Sequence, residues 1–237
     1  MNLLTQITQI YESLTHFVFP YDCVACQEPL PDGHKLICPF CEGDFSYTYF
    51  EHFEEETSLD QLFFGRVPLE FTYALLFFEK GSNTQSLIHA IKYKNNKLLA
   101  HEMGKRIGEK LLLKKLDALP DVLISVPLHP KKEFMRGYNQ GSLLAIGISE
   151  TTKIPFNAKL LRRKVFTDTQ TKKGKYERWS NVETVFEVKN PEKWKDKHIC
   201  LVDDVITTGS TLEACIRVIQ EAVPGVKVSV VSLAVAK

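Results

Sequence analysis

The sequence predicts an α/β protein: a parallel sheet flanked by helices, with a small four-cysteine module ahead of it. Three observations predict it. From about residue 67 to the end, short apolar runs alternate with stretches whose apolar residues fall at helical spacing. The runs VLISV (122–126) and HICLV (198–202) are near-continuously apolar rather than alternating, as strands buried on both faces are. Two C-x2-C pairs, Cys23/Cys26 and Cys38/Cys41, stand together before that pattern begins.

The 237 residues suffice for one large domain or one domain plus a small module. With 44% hydrophobic and 25% charged residues, wholesale disorder, collagen and coiled coil are excluded. No apolar run reaches the ~18 residues of a membrane span, so no stable membrane insertion is expected. The net charge of +1 hides a local imbalance. Residues 42–60 hold seven acids and no Lys or Arg, whereas residues 131–178 hold twelve Lys/Arg against four acids. That pattern fits a local anion site better than a surface that coats nucleic acid throughout.

In chain order, MNLLTQITQIYESLTHFVFP places Leu3, Leu4, Ile7, Ile10, Tyr11, Leu14, Phe17 and Val18 on one helical face, and Pro20 stops the pattern. Residues 1–19 are therefore expected as an amphipathic helix packed on the protein itself, with a partner or membrane surface as the alternative. The stretch lacks the positive start and continuous apolar run of a secretory signal, and the expected location is cytoplasmic.

Residues 20–47 read as a metal module. Its two cysteine pairs are separated by eleven residues, with Pro29, Pro31, Asp32 and Gly33 available for turns. Two such knuckles close a tetrahedral thiolate shell suited to structural Zn²⁺, leaving no open position for catalysis. A dithiol redox pair is the alternative, disfavoured because no thioredoxin-like strand precedes either motif. Cys200 and Cys215 lie in apolar surroundings and read as core.

Residues 48–66 are acidic and aromatic without a clean period and read as a connector. The domain at 67–237 follows. EFTYALLFFEK is a strand closed by Gly81-Ser82-Asn83, and helices follow through Leu87–Tyr93 and over roughly 97–115. Strand 122–126 leads through a loop into a helix near 140–152. Strands near 158–161 and 184–188 flank the basic stretch 162–181. Strand 198–202, a helix near 210–222, Pro224-Gly225 and the strand VKVSVVSLAVA complete the chain.

The chemistry concentrates in ICLVDDVITTGSTLEAC, 199–215. Asp203 and Asp204 stand at the C-terminal end of an apolar strand, where open parallel sheets bind ligands. Adjacent carboxylates repel, so they call for ligand hydroxyls, a cation or water. Thr207, Thr208, Gly209, Ser210 and Thr211 then open a helix whose N–H groups and hydroxyls make an anion seat. Acids for a sugar's hydroxyls beside a seat for its phosphate describe a phosphorylated ribose.

Ile199 to Thr211 resembles the phosphoribosyl-pyrophosphate signature of type I phosphoribosyltransferases: four apolar residues, two acids, two apolar residues, then Thr-Thr-Gly-x-Thr. The double C-x2-C, the segment VPLHPKKEFMRGYNQ (126–140) and the run RRKVFTDTQTKKGKYERWSNV (162–182) extend the likeness to the ComF family of competence-associated phosphoribosyltransferase-like proteins. Asp168 and Thr169 stand where that family often has proline.

The resemblance implies a type I phosphoribosyltransferase-like fold that binds phosphoribosyl pyrophosphate with Mg²⁺. Asp203 and Asp204 would contact the ribose 2′- and 3′-hydroxyls, directly or through Mg²⁺, and residues 207–211 the 5′-phosphate. Arg136, with Lys131 and Lys132, is the candidate for pyrophosphate, a surface cation being the alternative. His129 is open between a phosphate donor and a loop histidine. Lys92 and Tyr93 match a family KY pair; Tyr93 reads as core and Lys92 as a ligand candidate. Arg163, Thr167, Gln170, Arg178 and Asn181 match a segment that closes over the reacting centre, with Arg163 and Arg178 as catalytic candidates; an ordered surface insertion is the alternative. Two functions stay open: a transferase acting on an unidentified acceptor, and an inactive adaptor that binds nucleotide or single-stranded DNA and a competence helicase or DNA-processing partner. Tyr138, Phe166, Tyr176 and Trp179 are the aromatic residues that would serve the second.

Overall fold

A computed structural model describes residues 21–31, 33–34, 36–163 and 185–237. The expected helix at 1–19 and most of the basic stretch, including Thr167, Gln170, Arg178 and Asn181, lie outside the described residues. Helix α1 (Pro39–Gly43) belongs to the cysteine module, and α2 (Ser58–Phe63) follows a 3-10 turn at Phe50–His52. Thr57 caps α2 by accepting from the Asp60 N–H, and Asp60 returns the bond in a capping box. Then come β1 (Thr72–Phe78), α3 (Asn83–Tyr93), α4 (Lys97–Leu113), β2 (Val122–Ser125), α5 (Pro130–Arg136) and α6 (Gln140–Thr152). The chain continues through β3 (Leu161–Arg163), β4 (Phe186–Val188), β5 (His198–Ile206), α7 (Ser210–Ala222) and β6 (Lys227–Ala236).

The main sheet is four-stranded and all-parallel, in the order β1-β6-β5-β2. Its strands are predominantly apolar because both faces are covered: Val228 to Ala234 of β6 and Ile199 to Val202 of β5 are buried. Cys200 and Cys215 are fully buried, as expected of core residues. β3 and β4 form a separate antiparallel pair. No helix among the described residues is long and apolar enough to cross a membrane.

Two expectations needed correction. The strand read as 198–202 runs on to Ile206, paired with β6 as far as Ile206↔Val235. Asp203 and Asp204 therefore lie within its C-terminal half rather than just beyond it. The loop after β2 contains α5: His129 accepts from the Lys131 N–H at its start, Pro130 opens it, and Gly137 ends it at φ 73°.

Helices α4 and α6 touch backbone to backbone. A Cβ on Gly104 would lie 2.2 Å from the Leu144 carbonyl oxygen, and one on Gly147 2.2 Å from the His101 carbonyl oxygen. Glycine costs helix propensity of about 1 kcal/mol at each position, and close approach is what it permits. Gly147→Ala is expected to destabilise the protein by about 1–3 kcal/mol net, since the helices must separate. Thermal denaturation should show a melting temperature lower by roughly 2–12 °C; an unchanged value would mean that the helices part without cost.

Candidate functional site

Asp203 and Asp204 sit side by side in β5, the central strand that pairs β6 on one edge and β2 on the other. The Asp204 N–H donates to Asp203 Oδ1 at 2.8 Å. Alternation along the strand sends the two side chains to opposite faces. Asp204 is buried and accepts an ion pair from Lys92 Nζ at 3.0 Å. Asp203 is half-buried. Burial, then the Asp204 charge, push its carboxyl up to about 7, against the opposing pull of the Asp204 N–H, Lys92 and Arg136. A cation bound beside the pair would favour the ionised carboxylate and displace that proton.

The turn that follows is built for close approach. Gly209 has φ 71°, and a Cβ there would meet the Phe63 ring at 2.9 Å. No side chain caps α7 at this residue, so its first N–H groups stay open to an anion. Thr207, Thr208, Ser210 and Thr211 are exposed around it, and the Thr208 and Ser210 hydroxyls lie 3.0 Å apart. Arg66 fastens this turn from behind: Nη1 donates to the Thr208 carbonyl at 2.9 Å and Nε to Glu213 Oε2 at 2.9 Å. Arg66 was not anticipated. It is 142 residues from Thr208, and nothing in the local sequence joins them.

The remaining candidates divide. Arg136, at the end of α5, donates to Gln140 Oε1 at 2.8 Å and lies over the Tyr93 ring, and its charge is felt at Asp203. Lys131 and Lys132 are exposed on α5. His129 is exposed, with Nδ1 engaged in capping that helix. Arg163 lies over the Phe186 ring, and its charge and that of Asp203 both act on Cys215. Arg178 is outside the described residues. Lys92 reaches the acid pair directly. Tyr93, read as core, is instead 66% exposed, while Tyr138 is buried with its hydroxyl donating to the Ile91 carbonyl. Tyr138 is therefore unavailable for stacking on a ligand.

At the other end of the chain the Sγ atoms of Cys23, Cys26, Cys38 and Cys41 lie within 4.8 Å of one another. The Cys38 N–H donates to Cys23 Sγ and the Cys41 N–H to Cys38 Sγ. Burial raises the Cys23 thiol, but the N–H groups of Cys26, Cys38 and Ala25 offset this and bring it down to about 7; burial and the three neighbouring sulfurs push Cys41 well up. Four thiols this close suit a soft divalent cation: tetrahedral bonds of about 2.3 Å to sulfur imply edges of about 3.8 Å. The Cys26–Cys38 separation is 3.9 Å.

The phosphoribosyl transferase domain family matches residues 154–236, which contain β5, the acid pair and the turn into α7. Together with the parallel sheet, that match defines a phosphoribosyltransferase-like protein carrying an N-terminal four-cysteine cluster. The DNA utilization protein YhgH of Escherichia coli O157:H7 is 28% identical over 202 residues, covering 80% of this chain and 86% of that protein. Competence protein ComFC of Bacillus subtilis (strain 168) is 37% identical over 100 residues, 42% of this chain and 38% of its own. Competence protein F of Haemophilus influenzae (strain Rd) is 34% identical over 104 residues, 44% and 45% respectively. These likenesses support a ComF-family, phosphoribosyltransferase-like protein.

Proposed function

We propose that this protein binds phosphoribosyl pyrophosphate with Mg²⁺ and transfers its phosphoribosyl group to a nitrogen acceptor. The observation that carries the reading is the paired carboxylates of β5 next to an uncapped helix start ringed by exposed hydroxyls. Asp203 and Asp204 would hold the ribose hydroxyls, and Thr207, Thr208, Gly209, Ser210 and Thr211 the 5′-phosphate. Arg136, with Lys131, Lys132 and His129 nearby, would take the pyrophosphate; a forked guanidinium suits its oxygens. Arg163 and Arg178 would approach the reacting centre. Two carboxylates are the hard oxygen donors Mg²⁺ prefers, and when bound it supplies charge neutralisation for the leaving pyrophosphate. In the displacement at ribose C1, positive charge grows on the ring, where the ionised acid pair stabilises it. Negative charge grows on pyrophosphate, where Arg136 does.

In this reading residues 20–47 are a structural zinc module, residues 48–66 a connector and residues 67–237 the transferase-like domain. The setting is cytoplasmic, where thiols stay reduced. The names of the relatives, competence protein and DNA utilization protein, favour a role beside DNA uptake and handling. They also favour a second reading: an adaptor that uses the same cleft to bind nucleotide or single-stranded DNA for a competence helicase or DNA-processing partner.

The test has two readouts. Phosphoribosyl pyrophosphate with Mg²⁺ should raise the melting temperature, since a ligand at 100 times its Kd contributes about 2.7 kcal/mol. Pyrophosphate release is then assayed against a panel of nitrogenous acceptors. Release with any of them establishes transfer; a thermal shift without release, together with salt-sensitive single-strand binding, selects the adaptor. Absence of any thermal shift rejects both the ligand and the site.

A further inference from the structure

A second groove, of about 590 Å³, opens between the C-terminal end of α3 and the helix α5. That volume lies within the range of small-molecule sites. Lys92, Lys97, Lys132 and Arg136 line it, and no carboxylate does. Lys92 is neutralised by Asp204. Among the described residues, none of Lys97, Lys132 and Arg136 has an ion-pair partner within 4.0 Å; Lys97 and Arg136 instead lie over the Tyr138 and Tyr93 rings. The same groove carries three large apolar side chains turned to solvent: Phe134, 90% exposed, Met135, 75%, and Tyr93. None of the residues of α5 is buried, so Phe134 and Met135 contribute nothing to the core. Exposed apolar surface of this kind, rimmed by polar groups, marks a binding site.

The two features together specify the ligand's chemistry. Inorganic phosphate or pyrophosphate would satisfy the cations and leave Phe134 and Met135 in water. A neutral ring or an apolar peptide would cover those side chains and leave the cations unpaired. We propose that the groove binds a nucleoside phosphate beside the acid pair, on the far side of Lys92 and Arg136 from the turn 207–211, sharing Lys132 and Arg136 with the pyrophosphate side of the proposed site. The base stacks on Phe134 with Met135 beside it, and the phosphate lies on Lys97 and Lys132. Tyr93 already packs against His89 and Arg136, so it forms a wall rather than the platform. Lys132 and Arg136 also serve the pyrophosphate in the proposed function, so what sets this inference apart from that reading is Phe134, Met135 and Lys97, which take no part in it.

The experiment is calorimetric titration of AMP into the full-length protein, with and without saturating ribose 5-phosphate and Mg²⁺. AMP is expected to bind in both conditions. Phe134→Ser is expected to weaken it about tenfold, as loss of a base–aromatic stack does, and Lys97→Gln to weaken it about tenfold through loss of a charge-assisted contact. Both residues are outside the core, so both variants should keep the parent melting temperature and ribose 5-phosphate affinity. Adenosine and inorganic pyrophosphate, each carrying half of the chemistry, should bind at least about tenfold more weakly than AMP. Four outcomes overturn the proposal: no AMP binding; AMP displaced by ribose 5-phosphate and indifferent to Phe134→Ser; pyrophosphate equal to AMP; or an oligonucleotide bound through Phe134 when AMP is not. Should ribose 5-phosphate itself fail to bind, the titrations without it still decide the groove by their response to Phe134→Ser.

Discussion

Asp203→Asn/Asp204→Asn is expected to abolish the thermal stabilisation by phosphoribosyl pyrophosphate and Mg²⁺, a loss of roughly 5–11 °C at 100 times the parent Kd. The single change Asp203→Asn is expected to do something less obvious: to stabilise the ligand-free protein at alkaline pH. Burial and the Asp204 charge raise the Asp203 carboxyl from its ordinary 3.8 to about 7, so the folded protein holds that proton more tightly than the unfolded chain does. The stabilisation this proton brings is complete below 3.8 and is lost as pH rises through about 7. At pH 8 the ionised side chain is a net cost to the fold. Asn removes it for a gain on the order of 1–2 kcal/mol, or roughly 2–8 °C. At pH 5, inside that window, the gap should be smaller, and it should close only below about 3.8. Ligand binding runs the other way: a cation or ribose held by the carboxylate competes with the proton, so the ligand-induced shift in the parent should shrink as pH falls from 8 to 5. Melting curves of both proteins at the two pH values provide the check. A variant less stable than its parent at pH 8 would show that Asp203 is already satisfied by the fold and is not kept for a ligand.

This strain at the acid pair also bears on what could be read from the sequence. Strand positions in an all-parallel sheet are decided by continuous apolar runs, and 122–126 and 198–202 announced themselves in that way. The acid pair was legible for the opposite reason, because two carboxylates after such a run contradict burial unless a ligand justifies them. What depended on contacts remote in sequence was not legible. Tyr93 and Tyr138 exchange their expected places because each stands near a helix boundary, where period does not say which face is covered. The structure sends Tyr138 inward to the Ile91 carbonyl and leaves Tyr93 outside. Arg66 tying Thr208 to Glu213, and Gly104 and Gly147 closing α4 onto α6, are likewise properties of the assembled chain. Helix α5 is a different kind of miss: His129, Pro130 and Gly137 supply its start and stop signals, but a seven-residue helix without a buried face has no apolar period to reveal it.

Cys23→Ser/Cys26→Ser is expected to have the largest effect on the protein as a whole, because the cysteine module protects the sheet. β1 is an edge of the parallel sheet, and edges invite pairing with other chains. Here the segment just after the second knuckle covers it: the Phe77 N–H donates to the Ser46 carbonyl at 2.7 Å and the Thr48 N–H to the Leu75 carbonyl at 3.1 Å. The Thr48 hydroxyl adds a bond to the Ala74 carbonyl, and Glu42 of α1 pairs with Arg106 of α4. Cys23, Leu30, Ile37, Cys38, Cys41 and Phe45 are buried in the same core cluster as the strands. Structural zinc binds thiolate modules with about 10–16 kcal/mol, comparable to the whole stability of a domain. Metal analysis of the parent should find about one zinc per chain. The double variant should lose it, expose the β1 edge and recover largely as aggregate. Cys200→Ser, at a buried position outside the cluster, should retain its zinc whatever it costs in packing. If the double variant stays soluble with the parent melting temperature, the cysteines do not hold the module together. If the parent carries no metal and its four thiols interconvert with disulfides in a redox titration, the dithiol chemistry replaces zinc. In the first case the cover over β1 must be kept in place by Arg106, Thr48 and the apolar contacts alone.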